Sequence, residues 1–110
     1  MKPVDISLPA EAEIFNYLYP EMDFDDLDQD VMTVRLPTGY FIDVGWYPEH
    51  DQNGRFVIRV FWQFWDRQIL TNPITTKSQS EVVRIVEKLA EHFSMPQIIL
   101  SRSGSSLVQV

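Results

Sequence analysis

The chain has 110 residues, no cysteine, and sixteen Asp and Glu against nine Lys and Arg, for a formal net charge of −7. Disulfides and thiolate zinc sites are therefore excluded, and a field of this sign disfavours ordinary DNA or RNA binding. With 45% apolar residues the composition is that of a globular chain able to bury roughly 65% of its unfolded surface, and no run approaches the ~20 apolar residues that cross a bilayer.

In chain order, "MKPVDISLPAEAE" has a lysine with no apolar run behind it, so the expected location is the cytoplasm. "SLPAEAEIFNYLYP" reads as a helix over about residues 8–19: Ser7 caps, Pro9 sits in the first turn, Glu11 and Glu13 suit the positive end of the dipole, and Ile14, Phe15 and Leu18 form the buried stripe. The acidic segment "MDFDDLDQDV" follows. "VMTVRL" and "YFIDVGWY" are then strands joined at Pro37 and Gly39, which fit a three-residue hairpin loop.

"RFVIRVFWQFW" is the strongest strand, with Phe56, Ile58, Val60, Trp62 and Phe64 on one face. If "PEHDQNG" is its whole connecting loop, Trp46 pairs with Phe56, Val44 with Ile58, Ile42 with Val60 and Tyr40 with Trp62. Using Asn53-Gly54 as a two-residue turn would instead set Val44 against Gln63, so that register is rejected. After a turn at Asp66 and Arg67, "QILT" can add a fourth antiparallel strand. "SQSEVVRIVEKLAEHF" is a helix with a capping box at Ser78 and Glu81 and a stripe of Val82, Ile85, Val86, Leu89 and Phe93. "QIILS" is expected to return to the sheet as a parallel strand, "RSGSS" to turn, and "LVQV" to form a short edge strand or frayed tail. No linker or repeat divides the chain, so one domain over residues 1–110 is expected.

Catalytic and metal constellations are thin. Read as a calcium loop from Asp26, the acidic segment has Val31 where the turn glycine belongs and Pro37 where the bidentate glutamate belongs. Its carboxylates are also too few along a short loop to imitate a nucleic acid. The better reading is an anchored connector: Phe24, Leu27 and Val31 recur at helical spacing against the core and leave Asp23, Asp26 and Asp30 outward. His50 reads as a solvated loop residue, and His92 suits the end of the second helix. Glu87 and Glu91, interleaved with Arg84 and Lys88, read as a solvated helix face rather than a metal site. No catalytic residue, metal or cofactor is expected.

The second face of the sheet is more informative. It sets Asp43 opposite Arg59, Phe41 opposite Phe61 and Tyr47 opposite Arg55, with Arg35 diagonal to Asp43, and adds Val57 and Trp65. Aromatic and arginine side chains supply most of the energy at protein interfaces, so Phe41, Tyr47, Arg55, Arg59, Phe61 and Trp65 are the candidate partner-binding residues. An apolar patch of this size calls for a cover: the first helix, a second copy of the chain, or a partner.

The expected fold is α+β, an N-terminal helix, an antiparallel meander of three or four strands, a long amphipathic helix and a returning final strand (α-β-β-β-(β)-α-β). In element order and acidity this loosely resembles small secretion chaperones, which bind unfolded segments of a partner as homodimers, although the final helix of that pattern is missing. The expected function is a non-catalytic protein-binding module, chaperone-like, antitoxin-like or immunity-like, engaging another protein or itself, with no nucleic acid and no membrane. A small-ligand-binding domain is the alternative, and an enzyme comes last.

Overall fold

The computed structural model describes residues 2–70 and 72–95. Five strands form one antiparallel sheet in the order of the chain: β1 (Glu13–Asn16), β2 (Met32–Arg35), β3 (Tyr40–Tyr47), β4 (Arg55–Trp62) and β5 (Ile74–Thr76). A 15-residue helix, α1 (Gln79–Phe93), follows and packs on one face of the sheet against β3 and β4.

The expected N-terminal helix is not there. Residues 13–16 are the edge strand β1, paired with β2 from Glu13 opposite Arg35 to Asn16 opposite Met32. "EIFNYLY" is rich in β-branched and aromatic residues and alternates. Leu18 and Ile14 face the core, whereas Phe15 and Tyr17 are 49% and 52% exposed. Residues 2–9 run as a strap without helix or strand, held by Val4 N–H to the Leu18 carbonyl (2.7 Å), Asn16 Nδ2 to the Val4 carbonyl (3.0 Å) and Ser7 N–H to Glu87 Oε2 (2.8 Å), and a turn at Ala10 and Glu11 leads into β1. Without that helix the element order no longer resembles the secretion chaperones. "QIILS", "RSGSS" and "LVQV" lie outside the described residues.

The central hairpin has the register read from side-chain matching, including Trp46 opposite Phe56, Ile42 opposite Val60 and Asp43 opposite Arg59. The β2–β3 turn is Pro37-Thr38-Gly39, with Gly39 at φ 100° and Leu36 N–H bonded to the Tyr40 carbonyl. Val31 and Met32 both address Val44, a β-bulge that buries two successive apolar residues at 2% and 1% exposure. Leu18, Met32, Val34, Ile42, Val44, Phe56, Ile58 and Val60 meet Val82, Val86, Ala90 and Phe93 of α1 in one core. Each of the larger ones contributes about 1.5–3 kcal/mol by leaving water.

The strand after the hairpin also differs from expectation. β4 ends at Trp62, because Gln63 takes φ 67° and donates its N–H to the Gly39 carbonyl. That left-handed residue breaks the alternation, so Phe64 does not join the core and is 57% exposed. Of "QILT", the described residues 68–70 give a bridge from Gln68 to Phe61 and an Ile69 N–H to Val60 carbonyl bond but no strand, and the ladder is completed by Ile74–Thr76 instead.

α1 starts where expected. Ser78 Oγ accepts the Glu81 N–H, while Glu81 Oε1 takes the Thr76 hydroxyl and so ties the helix to β5. At its other end the Thr38 hydroxyl donates to the Phe93 carbonyl, fixing the helix to the β2–β3 turn. Among the described residues no helix is long and apolar enough to cross a membrane.

Candidate functional site

α1 and the strap lie on the core side, so the opposite face of the sheet carries no helix. Strict alternation brings Glu13 and Phe15 of β1, Thr33 and Arg35 of β2, Phe41, Asp43, Gly45 and Tyr47 of β3, and Arg55, Val57, Arg59 and Phe61 of β4 onto it.

Part of the expected patch is covered from within the chain. Phe41 and Phe61 stack at 5.1 Å, and the left-handed turn at Gln63 swings Trp65 back over them, 4.8 Å and 5.2 Å from their ring centroids. The Arg35 guanidinium lies over Phe41 from the other side at 5.5 Å. Phe41 and Phe61 are therefore buried, and Val57 is buried as well. Tyr47 and Arg59 are half-buried, and Arg55 and Trp65 are exposed. The six partner-binding candidates thus divide into a floor, Phe41 and Phe61, and an accessible layer above it.

Asp43 and Arg59 are cross-strand neighbours without forming an ion pair: among the described residues the one salt bridge is Arg84 with Glu81 at 3.9 Å. Arg59 instead lies over the Tyr47 ring at 5.3 Å. Among the described residues the Asp43 carboxylate accepts only a long 3.4 Å bond, from the Thr33 hydroxyl. Burial pushes its pKa from 3.8 to about 6, partly opposed by Thr33 and Arg59 and assisted by the charge of Asp30. Burial, with Asp43 next, also raises the Tyr47 phenol.

The acidic segment borders this face and is anchored to the core. Phe24–Asp26 form one 3₁₀ turn with a capping box between Asp23 and Asp26, and Leu27 and Val31 are buried as their spacing predicts. Trp46 N–H donates to the Asp28 carbonyl (2.8 Å) and His50 N–H to the Leu27 carbonyl (2.9 Å). The His50 ring is exposed but not idle, since Nδ1 meets the Asp25 carbonyl at 2.7 Å. The Gln29 carbonyl passes directly over Gly45, where a Cβ would come within 2.6 Å of it.

Between this segment, β1 and the Trp65 turn lies an open groove of about 720 Å³. Phe15, Tyr17, Tyr19, Met22 and Trp65 give it apolar walls, and Asp26, Asp28, Asp30 and Arg35 give it charge. A smaller hollow on the far side of Trp65 and Asp30 is lined by Asp43, Tyr47, Arg59 and Gln68. Sequence reasoning missed Phe15, Tyr17 and the groove aspartates, because a helix over residues 8–19 removes β1 from the sheet. The alternation of Ile14, Asn16 and Leu18 against Phe15 and Tyr17 fits a strand, but by itself it does not decide against a helix. Among the described residues no group of three or more His, Asp or Glu is placed to hold a metal ion.

Comparisons with known proteins find no match to a family model, a curated protein or a solved structure.

Proposed function

We propose that the chain is a non-catalytic protein-binding module of the cytoplasm whose docking surface is the helix-free face of the sheet. The observation that carries this reading is the exposure of Phe15, Tyr17 and Trp65, at 49%, 52% and 58%, around one groove. Three large rings held half in water, on a face otherwise made of arginine, tyrosine and carboxylate, match the composition of interface cores. Tyr47, Arg55 and Arg59 extend the surface, while Phe41 and Phe61 support it from below. The groove volume also falls in the range of small-ligand sites, but its open side and flat aromatic walls suit a polypeptide better.

Photo-crosslinking tests the reading. A benzophenone amino acid placed at position 17 or 65 of the full chain, in its native cell, should give one discrete protein adduct. The same group at Arg84, exposed on α1, should give none. Equal adducts from all three positions, or none from any, would count against the proposal.

A further inference from the structure

We propose that the groove beside the acidic segment docks an arginine-bearing segment of a partner protein, an inference that rests on reading the helix-free face as a docking surface. The first argument is charge. Asp26, Asp28 and Asp30 line the groove, and among the described residues no Lys, Arg or His side chain lies within 4.0 Å of their carboxylates. Arg35, the one cation lining the groove, is turned to Phe41.

The second argument is preorganisation. The Asp28 carbonyl is fixed by Trp46 N–H, Asp28 Oδ1 accepts the Asp30 N–H at 2.8 Å, and Glu49 Oε2 accepts the Gln29 N–H at 3.0 Å. The carboxylates are therefore presented from a held backbone, and little ordering cost falls on binding.

The third argument selects arginine. Its guanidinium is planar and weakly hydrated, stacks on aromatic faces and pairs with carboxylates in a fork. This face already uses the stacking part of that chemistry twice, with Arg35 over Phe41 and Arg59 over Tyr47. The groove sets carboxylates beside rings, with Phe15, Tyr17 and Trp65 open to an outside guanidinium.

The test uses a blocked peptide of three arginines spaced by glycine, and the same peptide with citrulline, which keeps the shape and removes the charge. The arginine peptide should shift the indole N–H resonance of Trp65 and leave that of Trp46, bonded to the Asp51 carbonyl in the core layer, in place. Citrulline should weaken binding at least about tenfold, and so should the pair Asp28→Asn and Asp30→Asn, which retains the side-chain acceptors. The pair Glu11→Gln and Glu91→Gln, an equal charge change on exposed positions, should leave affinity within about twofold. Equal binding of the citrulline peptide, equal loss in both pairs, or movement of Trp46 without Trp65 would overturn the inference. So would self-association of the wild-type chain that the Asp28 and Asp30 pair abolishes, since the occupant would then be a second copy. If the arginine peptide fails while adducts from positions 17 and 65 still form, the docking surface stands and the arginine inference falls.

Discussion

Asp43 is a charge placed where charge is costly. Its folded pKa of about 6 lies above the ordinary 3.8, so its contribution to stability is complete below about 3.8 and is lost as pH rises through about 6. Asp43→Asn keeps an acceptor for the Thr33 hydroxyl and removes that dependence. Because the group stays partly open to solvent, the variant should gain only about 1 kcal/mol at pH about 7.5, and the gain should vanish near pH about 4. Urea unfolding at the two pH values measures this, and a variant less stable at both would contradict the burial argument. Gly45 is the second decisive residue, for a steric reason. Gly45→Ala would drive a methyl into the Gln29 carbonyl and the Tyr47 ring, so it should cost about 1–3 kcal/mol and speed amide exchange in residues 28–30. Exchange unchanged in that segment would show that it does not rest on the glycine.

At the scale of elements, the Trp65 turn covers part of the face for which the sequence left three covers open, the first helix, a second copy or a partner. Trp65→Ala should bare Phe41 and Phe61 and cost about 1–2 kcal/mol while the chain still folds, as read by thermal unfolding. Phe61→Glu would bury a carboxylate beneath the indole. It should cost several kcal/mol, so it reports on the cluster and not on association. The contrast shows which elements were legible. The β3–β4 hairpin was, down to its register, because seven of its eight pairings set side chains of like kind or opposite charge together and a slip of one residue moves each strand's core face to the other side. α1 was legible through its cap and its stripe. β1 was not, because "IFNYL" places apolar residues at spacings that satisfy a helix stripe and a strand face alike, and only pairing with the open edge of β2 decides between them. The Trp65 turn was hidden for a different reason: a single left-handed residue, Gln63, redirects the chain, and glutamine gives no local sign of it. The floor of the candidate surface was therefore readable from alternation. Its walls, which come from a misread strand and an unannounced turn, were not.

Across the whole molecule, each strand pairs with the next one along the chain, whereas α1 and the strap close far longer loops, Ser7 reaching Glu87 across 80 positions. Short-range pairings form early and long closures late, because the entropy of closure precedes its reward. Val60→Ala, in the middle of the central hairpin, should therefore slow refolding, and Val86→Ala on α1 should mainly hasten unfolding, although both side chains are fully buried. Stopped-flow mixing in urea separates the two, and similar effects of both variants on refolding would refute the ordering. The helix-free face is built from sheet and turns alone. On that ordering the helix-free face is finished before the core is sealed, and a nascent chain presents its groove while α1 is still undocked.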